Sequence, residues 1–550
     1  MCYAPRDLGN SFPLKRPLAT TKKSDKISYV LKTMPSKETS KPPKTSPKRT
    51  SKSKGPRILY VTPEISYVSK RLSVDAERLR AKAGGLADVS ALLVHGLSSS
   101  NQDIHLAVPH YRKLFTGLGQ HPGNRSRISV GGRIHLAEDC KFYRRNGVYK
   151  ACKEDLLMSA LAFQRDLINH IIPRVKPDII HCNDWMTGLI PAEAKKLGIP
   201  TLFTIHNIHT QKATLAQLDN TGIPGGDFWD ELYFDNYPQS YDESYWNNPI
   251  DLLATGIMAS DHVNVVSPTF LDEIVTGHHA NIPDHISHLL SEKYAAGFAS
   301  GIVNAPDRSF NPQVDQYLPI EYGPRRHHTA KPELKVELQK LLLLKEDPKA
   351  PVLFWPSRLD PIQKGCQLLA DILYQLTHDY AHLGLQIVMI ADGPYQQHFR
   401  GIVKYHGLQD RVAVHPFSES LSHIGYAGSD FILMPSSFEP CGLPQMIGAR
   451  YGALPIAHAT GGLKDTVSHL SVEQSTGNGF LFEHFSPEGL RWAIDQALAF
   501  YQLPDEIRNP QIARIMVESK EEFSDKRVVE DYCKLYDKLD RRPKKSERMP

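Results

Sequence analysis

The sequence predicts an α/β protein with two doubly wound parallel sheets, one in each half of the chain. Short apolar runs alternate with stretches whose apolar residues recur at helical spacing, which is the pattern of strand–helix–strand units. Small and turn-forming residues follow several of these runs directly. They place polar groups at the carboxyl ends of parallel strands, where ligands bind in such sheets. We therefore expect two Rossmann-like domains, at 56–310 and 351–505.

The length of 550 residues agrees with two domains and additional segments. We expect 1–55 to be a disordered basic tail, since it is rich in Ser, Thr, Pro and Lys and has no periodic apolar pattern. It contains 14 Lys and Arg against 3 Asp and Glu, so the net charge of +5 hides a charge of −6 on the remainder. Such a tail is typical of a contact with acidic partners, a transit peptide or a dispensable extension.

In the first half, strands are predicted where apolar residues run continuously into a turn. Gly84 and Gly85 open a helix, 154–172 forms a helix that ends before Pro173, and 249–260 forms another. The strands are expected at 58–61, 104–108, 179–181, 201–205 and 263–266. Because strands and helices alternate, they predict a single parallel sheet for this half.

The second half repeats this alternation after a connector at 311–350, which is rich in charge and has one helical stretch at 333–343. Helices are predicted at 366–380 and 443–451, and strands at 352–355, 385–390, 412–414, 431–434 and 454–457. The segment 506–550 has helical apolar spacing at 528–539 and a basic end. We expect its helices to pack across the junction of the two domains.

Composition excludes several classes of protein. No apolar run reaches the ~18–20 residues that cross a bilayer, and the polar N-terminus lacks the apolar core of a signal peptide. Seven dispersed cysteines without metal or disulfide spacing indicate a reducing compartment. We expect a cytoplasmic protein with no membrane partner, and a plastid if the tail is a transit peptide. Nucleic-acid binding through the tail is a weaker alternative.

The segment Phe438-Glu439-Pro440-Cys441-Gly442-Leu443 lies between a predicted strand and a predicted helix. It offers one carboxylate and several backbone N–H groups, which suit a polyhydroxyl ligand with a phosphate nearby. The segment Thr460-Gly461-Gly462-Leu463 has a similar position about one βα unit later. Together they indicate a nucleotide-sugar enzyme, although an acid before Pro and Gly is, on its own, more often a helix N-cap.

Three cations lie beside a predicted helix N-terminus or after a predicted strand, which are positions where an anionic ligand would bind. Lys82 precedes Gly84 and Gly85, and a glycine pair at a helix N-terminus lets the backbone approach a phosphate. Arg358 and Lys364 follow the strand at 352–355. Fixed cations there would stabilise a departing nucleotide diphosphate more in the transition state than in the ground state. Taken singly, a glycine pair is more often a turn, and surface cations are usually only solvated.

Eight short motifs follow one another along the chain: Lys82-Ala83-Gly84-Gly85-Leu86-Ala87-Asp88-Val89, Asn183-Asp184-Trp185, Thr204-Ile205-His206-Asn207, Val266-Ser267-Pro268-Thr269, Ser357-Arg358-Leu359 with Lys364-Gly365, Phe438-Glu439-Pro440-Cys441-Gly442-Leu443, Thr460-Gly461-Gly462-Leu463 and Ser475-Thr476-Gly477-Asn478-Gly479-Phe480. In these motifs and their order the chain resembles the bacterial glycogen synthase and plant starch synthase family, from about 57 to 539. The resemblance implies the GT-B fold, in which two Rossmann-like domains face each other across a cleft.

The resemblance also implies an activity: transfer of glucose from ADP-glucose to the non-reducing 4-hydroxyl of an α-1,4-glucan, with retained anomeric configuration and without a cofactor or metal. The implied catalytic residues are Glu439 beneath the donor glucose, His206 near its 6-hydroxyl, and Lys82, Arg358 and Lys364 at the diphosphate. Retention without an obvious carboxylate nucleophile implies front-face substitution.

The implied substrate-binding residues divide by ligand group. The N–H groups of Cys441, Gly442 and Leu443 bind the sugar hydroxyls, and Thr460-Gly461-Gly462 cradles the distal phosphate. Phe417 stacks on adenine where the family has Tyr, and Asp184 lines the acceptor side. The full set is Gly84, Gly85, Asp184, Asn207, Phe417, Cys441, Gly442, Leu443, Thr460, Gly461 and Gly462.

Several positions depart from the family pattern. The usual His-Asp-Trp-His is Asn183-Asp184-Trp185-Met186, the Tyr-Gln-Gly after His-Asn-Leu is blurred to His209-Thr210-Gln211-Lys212, Asn-Gly-Ile-Asp is Asn304-Ala305-Pro306-Asp307, and an Arg is replaced by Ser437. These changes leave acceptor choice and turnover open. The alternatives are a retaining GT-B transferase with another acceptor, and a catalytically degenerate homologue that binds glucan as a regulatory protein.

Overall fold

The computed structural model describes residues 55–73, 76–115, 132–143, 145–149, 152–279 and 282–540. The predicted tail at 1–55 lies outside the described residues except for Gly55, and so does the basic end at 541–550. Two α/β domains follow each other along the described chain, each built on a parallel sheet. The prediction of two doubly wound domains is therefore confirmed.

The N-terminal domain contains a seven-stranded sheet in the order β3-β2-β1-β4-β5-β8-β9, with every neighbouring pair parallel. A separate antiparallel ladder joins β6 and β7. The strands are β1 Arg57–Val61, β2 Asp103–Pro109, β3 Ile134–Ala137, β4 Ile179–Asn183, β5 Thr201–Ile205, β6 Lys212–Ala213, β7 Ile250–Asp251, β8 His262–Val265 and β9 Ala299–Gly301. Strands β1, β4, β5 and β8 are buried almost throughout, because helices cover both faces of the sheet.

The helices of this domain are α1 Gly85–Ser99, α2 Cys140–Tyr143, α3 Lys153–Asp166, α4 Ile172–Val175, α5 Ile190–Leu197, α6 Leu215–Thr221, α7 Tyr241–Asn247, α8 Leu252–Ala259, α9 Pro268–Val275 and α10 Asp284–Ala295. A π-helical turn, Leu167–Ile171, joins α3 to α4. The helix predicted at 154–172 was expected to end before Pro173, and this is wrong. The wider π turn gives the proline ring room, so the helix continues to Val175.

The C-terminal domain has a six-stranded parallel sheet in the order β12-β11-β10-β13-β14-β15, which is the 3-2-1-4-5-6 order of Rossmann-like domains. Its strands are β10 Val352–Trp355, β11 Gln386–Ile390, β12 Val412–His415, β13 Phe431–Met434, β14 Leu454–His458 and β15 Phe480–Phe482. Its helices are α11 His327–Leu341, α12 Cys366–Asp379, α13 Gln396–Tyr405, α14 Glu419–Gly428, α15 Pro444–Tyr451, α16 Gly461–Thr466 and α17 Pro487–Tyr501.

The last two helices attach to different domains. Helix α18, Asp505–Glu522, packs on α15, whereas α19, Asp525–Asp540, packs on α1. In α19 the tyrosine hydroxyls reach the first sheet: Tyr532 accepts from Asn264 at 3.0 Å, and Tyr536 lies 2.7 Å from a ring nitrogen of His181. The chain thus returns from the second domain to complete the core of the first.

Three edge strands, β3, β9 and β15, have no counterpart among the predicted strands, because three or four residues give too little periodic pattern. The stretch predicted as helix at 249–260 begins with β7 and becomes helical only at Leu252. Helix α11 starts six residues before the predicted 333 and includes Pro332. A buried lysine of α11 attaches this helix to the rest of the domain. The Lys331 ammonium donates to three backbone carbonyls, of Ala427, Ser429 and Tyr451.

Candidate active site

The loops after β10 and β13 lie side by side because these strands are neighbours at the point where the strand order reverses. The Lys364 ammonium donates to Glu439 Oε2, and the Ser436 hydroxyl donates to the same oxygen at 3.0 Å. Lys364 and Glu439 are only 7% and 6% exposed. A buried ion pair of this kind is retained only where each charge has its partner.

Three backbone N–H groups follow Glu439 and Pro440 along the chain. Among the described residues, no hydrogen-bond acceptor is found for the peptide N–H groups of Cys441, Gly442 and Leu443. The carbonyls of Cys441 and Gly442 accept from the side chain of Gln445, at 3.0 and 3.1 Å. Gly442 has a φ of +71°, a left-handed conformation that favours glycine. The segment therefore combines one carboxylate with three free N–H groups, as a sugar with several hydroxyls requires.

The segment Thr460-Gly461-Gly462 packs directly against this loop. A Cβ at Gly461 would lie 2.1 Å from the carbonyl oxygen of Glu439, so only glycine fits there. The N–H of Gly462 donates to that same carbonyl at 2.9 Å. The Thr460 hydroxyl and the Gly461 N–H donate hydrogen bonds to the carboxylate of Glu273 on α9, at 3.1 and 2.9 Å. A phosphate at this position would compete with Glu273, which the sequence did not single out.

Arg358 and Phe417 are the exposed residues among the predicted site residues of the C-terminal domain. Phe417 follows β12 with its ring 55% exposed, and its N–H donates to Asp392 Oδ1 at 3.1 Å. Arg358 follows β10, and no hydrogen bond or ion pair of its guanidinium is found within the part of the chain that the structure describes. Burial lowers the pKa of His209 in the N-terminal domain, and the charge of Arg358 lowers it further. Arg358 therefore faces the opposite domain.

The N-terminal domain brings Lys82, Gly84 and Gly85 to the same cleft. A Cβ at Gly85 would touch the Leu443 side chain at 3.4 Å, so the two glycine-containing segments meet across the cleft. Lys82 pairs with Asp88 at 2.9 Å. Burial lowers the pKa of Lys82, but Asp88 and the nearby Glu419 and Asp307 outweigh this and raise it overall. Lys82 is consequently a permanent cation near Glu419, a residue of α14 in the C-terminal domain.

Glu64, which follows β1, shapes this loop. Its carboxylate accepts the N–H groups of Ala83 and Gly84, at 2.7 and 3.0 Å, and the hydroxyl of Tyr149 at 3.0 Å. Burial raises the pKa of Glu64. The helix N-terminus thus already holds one carboxylate, and the N–H groups of the first helical turn remain for another anion. Position was the signal available for Glu64, since an acid directly after a buried strand lies at the ligand-binding edge.

Asp184, His206 and Asn207 form one group at the ends of β4 and β5. Asp184 Oδ1 accepts the N–H of His206 at 2.6 Å and that of Asn207 at 3.4 Å. Burial raises the pKa of Asp184 to about 7 and lowers the pKa of His206 to about 3. Asp184 also has a φ of +57°, which is uncommon for a residue other than glycine. Strongly shifted pKa values and backbone strain together are typical of functional sites.

The described residues contain no cluster of three or more His, Cys, Asp or Glu that would hold a metal ion. Within the same residues, no helix is both long and apolar enough to cross a membrane. The six cysteines that the structure describes are free thiols. The arrangement is a cleft that offers cations, several buried carboxyl groups and free backbone donors among the described residues, which suits a sugar joined to a diphosphate.

Comparisons with known proteins agree with this geometry. The family model described as "Starch synthase catalytic domain" matches residues 57–288, and that described as "Glycosyl transferases group 1" matches 344–511. A glycogen synthase of Moorella thermoacetica is 33% identical over 81% of this chain and 90% of its own length. A glycogen synthase of Bacillus subtilis is 30% identical over 76% of this chain and 88% of its own length.

Among solved structures, the catalytic domain of starch synthase IV from Arabidopsis thaliana, bound to ADP and acarbose, matches with a TM-score of 0.71 and 25% identity. The match covers 89% of this chain and all of that one. A sucrose-phosphate synthase from Thermosynechococcus elongatus matches with a TM-score of 0.54 and 16% identity, which is evidence for the fold alone. Both alignments extend over the two domains and the cleft between them.

Proposed function

This chain belongs to the glycogen synthase family of glycosyltransferases, and from that premise we propose that it transfers glucose from ADP-glucose to the non-reducing 4-hydroxyl of an α-1,4-glucan. The observation that carries the proposal is the buried Lys364–Glu439 pair beside three free backbone N–H groups. The ADP and acarbose bound to the similar starch synthase IV domain support an adenine nucleotide and a glucan at this cleft.

In this proposal the donor glucose lies over Glu439. The N–H groups of Cys441, Gly442 and Leu443 donate to its hydroxyls, and the Glu439 carboxylate stabilises positive charge that develops on the ring in the transition state. Fixed donors and a fixed carboxylate need no reorganisation when the glycosidic bond to phosphate breaks. The buried Lys364 holds the Glu439 carboxylate in place, since an unpaired buried carboxylate would be costly.

The diphosphate gains negative charge as it leaves, and Lys82, Arg358 and Lys364 are the cations proposed to stabilise it. The acceptor's 4-hydroxyl attacks the anomeric carbon from the face that the phosphate leaves, and its proton passes to the departing phosphate oxygen. One C–O bond breaks while another forms on the same face, so configuration is retained. His206 is neutral at physiological pH, because burial lowers its pKa to about 3, and it therefore acts as a hydrogen-bonding group.

The decisive experiment is a radiolabelled-donor assay with ADP-glucose and UDP-glucose side by side and glycogen as acceptor. We expect label to enter glycogen with ADP-glucose, and Glu439→Gln to reduce incorporation by about a hundredfold to a thousandfold. Glu193→Gln is the matched control. Glu193 is also 6% exposed and 3.5 Å from a lysine, Lys196, but it lies within helix α5 and not in a loop that follows a strand.

Three outcomes would change the conclusion. Equal activity of Glu439→Gln and the unaltered protein would remove Glu439 from the site. Preference for UDP-glucose would correct the donor. Tight glucan binding without any transfer would support a catalytically degenerate, regulatory role instead. The proposed cytoplasmic location is supported by the free cysteines and is tested separately by cell fractionation.

A further inference from the structure

Asn183 is the first residue of the altered His-Asp-Trp-His motif. It contacts His206, and a histidine at this position would not impose one tautomer on the His206 ring. Asn183 ends β4 and is fully buried. Its Oδ1 lies 2.9 Å from Nε2 of His206, which follows the neighbouring strand β5. We propose that Asn183 is a positioning residue that holds His206 in the Nε2–H tautomer and so keeps Nδ1 as a hydrogen-bond acceptor for the donor sugar.

The orientation of the Asn183 amide follows from its second partner. Asn183 Nδ2 donates to the carbonyl oxygen of Val61 at 2.9 Å. A flipped amide would place two oxygens against each other, so Oδ1 must be the atom that faces His206. The hydroxyl of Tyr60 also lies 3.3 Å from Oδ1, as a further donor to it.

An amide oxygen only accepts hydrogen bonds, so the His206 nitrogen that faces it must donate. In a neutral imidazole one nitrogen carries the proton and the other is an acceptor. His206 is neutral at physiological pH, because burial lowers its pKa to about 3. Nε2 therefore has the proton and Nδ1 has the lone pair. No hydrogen bond to Nδ1 is found among the residues that the structure describes.

A histidine at position 183 would contact His206 with a ring nitrogen that either donates or accepts, and the tautomer would not be imposed. The asparagine of this chain allows only the Nε2–H tautomer of His206. The inference rests on the proposed function only for the last step, in which Nδ1 accepts a hydrogen bond from a hydroxyl of the donor glucose. The tautomer itself depends on Asn183 alone and is measurable without turnover.

The first test is ¹⁵N NMR of the full chain labelled at histidine, with the His206 signals assigned by their loss in His206→Gln. Protonated and unprotonated ring nitrogens have distinct ¹⁵N shifts. We expect a protonated Nε2 and an unprotonated Nδ1 in the unaltered protein, and a mixture of tautomers in Asn183→Leu and Asn183→His. A protonated Nδ1 in the unaltered protein, or an unchanged Nε2–H tautomer in Asn183→His, would overturn the proposal.

The matched control is Asn264→Leu. Asn264 is another fully buried asparagine, on β8 of the same sheet, and it bonds to Tyr532 instead of His206. This substitution also removes a buried amide, but we expect it to leave the His206 tautomer unchanged. If Asn183→Leu does not fold, Asn183→His provides the same comparison with a residue that the family accepts at this position.

The second test compares ADP-glucose with ADP-6-deoxyglucose. The unaltered protein should lose about tenfold in kcat/KM when the 6-hydroxyl is missing, and Asn183→Leu should lose less than about threefold. An equal loss in both proteins would overturn the role of Nδ1 in binding this hydroxyl. Absence of turnover with either donor would contradict the proposed function and leave the NMR result to decide the tautomer.

Discussion

The edges of the two domains that form the cleft differ in how their charges are balanced. In the C-terminal domain the buried Lys364 and Glu439 neutralise each other. In the N-terminal domain three carboxyls, Glu64, Asp88 and Asp184, have pKa values raised by burial, with Lys82 as the neighbouring cation. The difference indicates that the C-terminal edge has a fixed ion pair, whereas burial of the N-terminal carboxyl groups costs stability and makes the charge of that edge depend on pH.

Lys364→Ala removes the buried ion pair at the C-terminal edge, and its expected effect on the free energy of unfolding is the largest of the four predictions. It leaves the Glu439 carboxylate buried without a cation, so we expect a loss of about 3–5 kcal/mol in the free energy of unfolding. Urea denaturation measures this loss. The double substitution Lys364→Ala with Glu439→Gln should recover most of the stability and none of the activity. No recovery in the double variant would mean that packing, and not the pair, holds this edge.

Asp184→Asn tests whether the stability of the N-terminal edge depends on pH, as the raised pKa of Asp184 predicts. The folded-state pKa of about 7 lies above the unfolded value of about 3.9, so folding takes up a proton between these pH values and stability falls as pH rises. Asn mimics the protonated carboxyl and removes this loss. We expect the stability of Asp184→Asn relative to the unaltered protein to increase by about 3 kcal/mol between pH 5 and pH 8. A difference independent of pH would contradict the raised pKa.

Lys82→Ala tests whether the N-terminal edge supplies charge to the leaving diphosphate. We expect about a hundredfold loss in kcat/KM with ADP-glucose, because a cation aimed at developing charge acts mainly in the transition state. The Lys82 side chain is 36% exposed, but its partner Asp88 is only 8% exposed and would lose its cation, so the free energy of unfolding should fall by about 1–3 kcal/mol. Lys534→Ala, which removes an ion pair with Asp531 on helix α19, is the control.

Phe417 gives the smallest expected effect, at the exposed rim of the C-terminal edge. If its ring stacks on adenine, Phe417→Ala should raise KM for ADP-glucose about tenfold, the size of one base–aromatic contact. Phe417→Tyr retains the ring and should remain within about twofold of the unaltered protein. Steady-state kinetics measure both. Equal KM values for all three would place the base elsewhere.

Much of the fold could be predicted from the sequence because parallel strands buried on both faces appear as continuous apolar runs. The runs that end before Glu439 and His206 predicted strands β13 and β5, and the structure has both there. The prediction failed where local pattern was weak or misleading. The edge strand β9 has only three half-buried residues, and Pro173 continues a helix because a π turn precedes it.

By itself, the sequence determined that Arg358, Glu439 and His206 reach the cleft, because a residue that follows a parallel strand lies at the carboxyl edge of the sheet. Tertiary structure alone decided their partners. Lys364 meets Glu439 across 75 residues, and Gly461 donates to Glu273 across 188. Asn183 orients His206 from the adjacent strand. Hydrogen bonds depend on distances and angles that form only when the sheets are assembled, and no local pattern of residues encodes them.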